Sequence, residues 1–211
     1  MTQKGGTAGW ERLPLWAKVV IGLAGGLALV AASGAIHEAT MPDPDKARAD
    51  DPSAPKPGDV LLFYRPRRGR DYFIRWFTRS PFYHAALYAG DDSVIEARPA
   101  GVRLNALADR ARDYLVVPAP DGRGDAALAW ARTQIGDGYD GAVALVIGLE
   151  HIFTHWHINY TPPGTYSCAE LVTKAFEETG FKPFEGRKPY ETAPADWARY
   201  LPAPLAAEYA P

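Results

Sequence analysis

The chain has 211 residues, 47% of them hydrophobic, which suits one sizeable domain with a single core better than two. Lys and Arg number 23 against 25 Asp and Glu, so no basic surplus marks a nucleic-acid binder. One cysteine, Cys168, excludes a disulfide framework and a cysteine-rich zinc site.

Lys4, Arg12 and Lys18 precede the uncharged run 19–36, VVIGLAGGLALVAASGAI, which is near the length that spans a bilayer as a helix. Basic residues before it and Glu38, Asp43 and Asp45 after it predict a cytoplasmic segment over 1–14 and an exported body. Two readings of 15–37 fit: an uncleaved transmembrane anchor, or a signal sequence cut after the small residues of ASGA. The length of the run favours the anchor. A buried soluble helix fits less well, because Gly22, Gly25 and Gly26 would weaken it in water. Residues 38–57 are rich in proline and charge and read as an extended linker, with the folded domain expected over 58–211 and beginning near Gly58.

GDVLLFYR, 58–65, reads as a first strand, and DYFIRWFTR, 71–79, as a short aromatic and basic helix. YHAALYA, 83–89, and SVIEAR, 93–98, read as a hairpin closed by the turn signal GDD. YLVVPAP, 114–120, is another short strand. GDAALAWARTQIG, 124–136, is helical, with Ala127, Trp130, Ala131 and Ile135 at helical spacing and Gly136 as its stop. The apolar stretch 142–153 leans to helix. Strands gathered in one block with helices at the ends predict an α+β fold, an antiparallel sheet packed on helices.

SCAELVTKAFEETG is the clearest helix. Ser167 and Glu170 have the S-x-x-E spacing of a capping box, so Ser167 is the N-cap and Cys168 the first helical residue. Leu171, Val172, Ala175 and Phe176 recur at core spacing, and Gly180 ends the helix. The unpaired amides of a helix start favour a thiolate over a thiol and can also hold an oxyanion. Position alone leaves Cys168 open between a buried filler and a nucleophile.

A nucleophilic cysteine needs a base, and the base an orienting group. His84 stands inside an apolar strand, and Glu96 stands in the partner strand. Either could be structural: a satisfied core histidine, an ordinary solvated glutamate. A three-residue GDD loop pairs 89 with 93, 86 with 96 and 84 with 98, placing His84 and Glu96 on one face as diagonal neighbours. A two- or four-residue loop puts them on opposite faces.

GDVLLF, FYHAALYAG, VIEA, GDGYD, YSCAELVTKAFEETG and ETAPADW, in that order, resemble the circularly permuted papain-like hydrolases of the NlpC superfamily, the YiiX/YebB-like group. The resemblance covers about 58–200. It implies Cys168 as nucleophile, His84 as base and Glu96 as third member, with Tyr139 and Tyr166 lining the substrate cleft. The histidine of these families is often followed by glycine; here Ala85 follows it. The resemblance implies a cysteine amidase or peptidase acting on cell-envelope peptide or amide substrates. It leaves a lipid acyltransferase or esterase of the lecithin–retinol acyltransferase type as the alternative. A catalytically silent ligand-binding domain is a third reading, against which the intact Cys168, His84 and Glu96 argue.

The reading calls for no cofactor and no nucleic acid, and for a membrane partner through the N-terminal helix. It places the catalytic domain on the outer side of a bacterial inner membrane, or free after signal cleavage. His151, His155 and His157 lie close together, but without the H-E-x-x-H pattern they are read as an interfacial segment rather than a metal site. Arg65, Arg67, Arg68, Arg70, Arg75 and Arg79 form a basic run among aromatics that suits a solvated loop or anionic lipid or polymer.

Overall fold

The computed structural model describes residues 43–50, 54–66, 69–78, 80–107, 113–140 and 162–209, all within one compact unit that runs from Pro42 to Pro211. The apolar run 19–36, the stretch 142–153 and the three histidines fall outside these residues. Among the described residues no helix is long and apolar enough to cross a membrane.

The fold is α+β. Strands β1 (Val60–Phe63), β2 (His84–Gly90), β3 (Ser93–Arg98), β4 (Gly101–Ala106) and β5 (Tyr114–Val117) form a five-stranded sheet in the order β4-β3-β2-β1-β5. Every neighbouring pair in it is antiparallel. The strands read as near-continuous apolar runs because both faces are covered. On one face Val60, Leu62, Ala85, Leu87, Ile95 and Val117 pack against helices α3 (Gly124–Thr133) and α4 (Cys168–Glu177). On the other, Leu61, Phe63, Ala86, Tyr88, Val94 and Val116 form a second cluster with Ile74 of α2 (Gly69–Thr78).

The GDV start of the domain has a physical role. Gly58 adopts φ +89°, and a Cβ there would come 2.2 Å from the Gly124 backbone, so β1 and α3 approach as only glycine allows. Asp59 is buried, and its carboxylate accepts the amides of Lys56 at 2.7 Å and Ala119 at 2.9 Å. At the other end of the motif series, Trp197 of the 3-10 segment Pro194–Tyr200 is fully buried against Phe176. Its Nε1 donates to Thr173 Oγ1 at 3.2 Å, which fixes this segment to the back of α4.

Two expectations are corrected here, the first and third below, and one strand, the second, was not foreseen. The linker 38–57 is not extended throughout: Pro44–Asp50 is a helix, α1, started by Asp43 accepting the Asp45 amide and by Pro44 in the first turn. It docks on the sheet domain through Tyr64, whose hydroxyl donates to Asp45, Arg65, which pairs with Asp45, and Arg48, over the Tyr114 ring. The domain therefore begins before Gly58. Second, β4 follows directly on β3 as an edge strand that alternation alone did not single out, because Leu104 on it stays exposed.

Third, the hairpin turn is not a three-residue loop. Asp91 and Asp92 form a two-residue turn, both at positive φ (48° and 49°), with Gly90 paired to Ser93. A bulge at Ala89 follows, and beyond it Tyr88 pairs with Val94 and Leu87 with Ile95. The extra residue restores the odd count, so His84 and Glu96 still share a face.

A short parallel pair, β6 (Gly138–Tyr139) and β7 (Thr165–Tyr166), leads the chain into α4.

Candidate active site

α4 begins as its sequence predicts. The Glu170 amide donates to Ser167 Oγ at 3.2 Å and the Ser167 amide donates to Glu170 Oε2 at 3.1 Å, a complete capping box. Cys168 is the first residue of the helix, buried, and its sulfur accepts backbone hydrogen bonds from Ala85 and Ala169. Leu171, Val172, Ala175 and Phe176 are fully buried in the core, so the helix is held in place without help from the thiol.

His84 opens β2 and is buried between the rings of Phe63 and Tyr83. Its Nε2 lies 2.5 Å from Oε2 of Glu96, whose side chain is 0% exposed. The imidazole also shares a hydrogen bond with Cys168, and with Nε2 engaged by Glu96 the nitrogen left for it is Nδ1. Cysteine, histidine and glutamate are thus in one contact chain.

Glu96 has two partners that the sequence reading did not name. Asn105 of β4 donates from Nδ2 to Oε1 at 2.7 Å, and Arg98 donates from Nε to Oε2 at 3.1 Å. Arg98 is two residues on along β3, on the same face. Asn105 sits opposite Val94 across the β3–β4 ladder, diagonal to Glu96. Recognising β4 would have pointed to Asn105, and strand alternation to Arg98.

The charges follow from this geometry. Burial pushes the Cys168 thiol up, but the His84 charge, its hydrogen bond and the two backbone amides outweigh it and leave the thiol below its ordinary value. Burial likewise pulls His84 down, while the Cys168 thiolate and the Glu96 carboxylate hold its proton, and the net value rises to about 9. For Glu96 burial opposes ionisation; His84, Arg98 and Asn105 together hold it below the usual carboxylate range. The pairings thus favour the thiolate, the imidazolium and the carboxylate over their uncharged forms.

These groups open on a small pocket at the end of the sheet where β2 starts and β3 finishes. Cys168, His84, Arg98, Asp71 of α2 and Tyr139 line it. Of the two tyrosines singled out in the sequence, Tyr139 is among the lining residues. Tyr166 is not: its ring packs into the core edge-on to Trp130 and its hydroxyl donates to Gln134 Oε1 at 2.8 Å, because β7 lies against α3 before the chain turns into α4. Among the described residues no group of His, Cys, Asp or Glu is placed to hold a metal ion. His151, His155 and His157, and four arginines of the basic run (Arg67, Arg68 and Arg79 entirely, Arg70 in its side chain), lie outside what is described.

No family model matches the chain, and no curated protein matches it.

Proposed function

We propose that the chain is a cysteine hydrolase of the amidase or peptidase type, with a permuted papain-like arrangement, acting on amide bonds of cell-envelope substrates. The observation that carries this reading is the unbroken contact from the Cys168 sulfur through the His84 imidazole to Glu96, facing a pocket. The order in the chain supports the permuted arrangement: the base and its orienter come from the sheet, before the nucleophile helix.

The steps follow from the atoms. The Cys168 thiolate attacks the carbonyl carbon, and the carbonyl oxygen takes the negative charge. First-turn amides of α4 are the nearest fixed dipoles for that oxyanion. The His84 imidazolium gives its Nδ1 proton to the leaving amine as the C–N bond breaks, leaving a thioester on Cys168. Neutral His84 then takes a proton from water, which attacks the thioester carbonyl and releases the acid. Glu96 holds the ring in the orientation that presents Nδ1 to sulfur and steadies the imidazolium each time it forms.

The test is labelling of Cys168 with a thiol-reactive acyl probe at neutral pH, together with product analysis on muropeptides and on phospholipids. The reading expects stoichiometric labelling that His84→Ala weakens, and amine release from muropeptides that Cys168→Ala abolishes. Labelling no faster than that of free cysteine overturns it. Acyl transfer from phospholipid, with muropeptides untouched, would replace the amidase reading with the acyltransferase one.

A further inference from the structure

Arg98 stands at the last position of β3 and forms part of the pocket wall beside Cys168 and His84. Only its Nε is committed, to Glu96 Oε2 at 3.1 Å. Nη1 and Nη2 have no partner among the described residues, and the side chain is 24% exposed while the carboxylate it leans on is fully buried. The guanidinium is thus anchored at its base by a buried acid, with its two terminal nitrogens left at the pocket.

Support of Glu96 does not by itself require this arrangement. Glu96 already receives Asn105 on one oxygen and His84 on the other. An asparagine or a backbone amide would serve as a third donor without placing a second cation beside the nucleophile. The other pocket walls are Ile74, Tyr83, Ala97, Pro99, Tyr139 and Asp71, and Asp71 has interactions of its own within the protein. Arg98 is therefore the cation that the pocket offers to a ligand. A planar fork with two open N–H edges matches an oxyanion, and in a narrow pocket the pairing is little screened. It would also offset the repulsion that a thiolate exerts on an anionic substrate.

We propose that Arg98 sets specificity at this site by binding an anionic group of the substrate, a carboxylate or phosphate oxyanion, through Nη1 and Nη2. This rests on the reading of Cys168 as the nucleophile. It predicts a substrate whose scissile carbonyl has a negative charge close by.

Alkylation of Cys168 in the full-length protein tests it, because iodoacetate and iodoacetamide differ in that charge. In both reactions the thiolate sulfur forms a bond to carbon and iodide leaves. The ratio of the iodoacetate rate to the iodoacetamide rate, referred to the same ratio for free cysteine, should be high in the wild type. It should fall about tenfold in Arg98→Gln and largely persist in Arg98→Lys. An Arg98→Gln protein in which both rates fall together, the ratio unchanged, overturns the proposal and leaves Arg98 only a support for Glu96. Failure of the catalytic reading looks different: neither reagent outpaces its reaction with free cysteine, and His84→Ala changes nothing. Acetate and inorganic phosphate, added as competitors of iodoacetamide, separate the two anions. The one that slows labelling of the wild type and spares Arg98→Gln names the group.

Discussion

Nε2 of His84 and Oε2 of Glu96 lie 2.5 Å apart in a buried contact, although twelve residues and a turn separate them in the chain. The sheet makes this possible. Leu87 and Ile95 face each other in the β2–β3 ladder and are both fully buried, which fixes the strand register from the core side. Asn105 and Arg98 then hold the carboxylate so that it faces the imidazole.

Replacing Cys168 should separate chemistry from folding. The helix is held by its capping box and by Leu171, Val172, Ala175 and Phe176, so Cys168→Ala should shift stability by less than about 1 kcal/mol while removing turnover. Thermal denaturation and amide hydrolysis of the same preparation check both halves. Substantial remaining turnover would remove Cys168 from the mechanism.

Acylation should have a bell-shaped pH dependence. On the acid side it rises as the Cys168 thiol, held below its ordinary value mainly by His84 against the effect of burial, gives up its proton. On the alkaline side it falls near pH 9, where the Cys168 thiolate and Glu96, against burial, no longer keep His84 protonated and the leaving amine loses its proton donor. Iodoacetamide needs only the thiolate, so its rate should show the acid limb and no alkaline fall. A stopped-flow comparison of the two reactions decides the point.

Glu96 is the costlier position to truncate. Glu96→Ala leaves His84, Arg98 and Asn105 facing an empty, buried space and should destabilise the fold by roughly 3 kcal/mol. Glu96→Gln keeps the shape and removes the charge. It should leave a folded protein with turnover reduced roughly ten- to a hundredfold and an alkaline limb moved to lower pH. Urea denaturation and a pH–rate profile of the two variants test this.

Glu170 makes stability depend on pH. Burial, with the neighbouring Asp140 charge adding to it against the Ser167 amide, raises its carboxyl from 4.5 to about 7. A folded-state value above the unfolded one means that the folded protein binds more protons between them. The stability that Glu170 contributes is complete below pH about 4.5 and is lost as pH rises through about 7. Glu170→Gln retains an oxygen to accept the Ser167 amide and cannot ionise. It should be more stable than the wild type at pH 8, by on the order of 2 kcal/mol, and indistinguishable from it near pH 4. Denaturation midpoints at the two pH values measure the difference.

The parts of the site legible in the sequence are those set by local rules. Ser167 and Glu170 announce a helix start whatever surrounds them. The shared face of His84 and Glu96 was reached through a three-residue loop, whereas the actual two-residue turn reaches it only with the bulge at Ala89, which alternation does not signal. What was not legible depends on long-range packing. Tyr166 has a tyrosine's usual choice between cleft and core, and Trp130 and Gln134, over thirty residues away, decide it. Helix α1 is stabilised by Tyr64, Arg65 and Tyr114 rather than by its own composition, so proline and charge read as linker. Edge strand β4 buries Val102 and exposes Leu104, which blurs the periodic signal that reveals a strand.

The bulge at Ala89 has a consequence for how this hairpin tolerates change in length. Its carbonyl is held by Arg132 of α3, so the spare residue has an anchor outside the sheet. On the core side of it the pairing of Tyr88 with Val94 is regular, and on the tip side so is that of Gly90 with Ser93. Ala89 therefore works as a slip joint: its removal closes the ladder into an unbroken one in which Leu87 still faces Ile95 and His84 still meets Glu96. The tip can lose that residue while the chemistry at the far end of the strands keeps its alignment. The same loss at Ala85 or Ala86, between the Leu87–Ile95 pair and His84, would turn His84 to the face opposite Glu96.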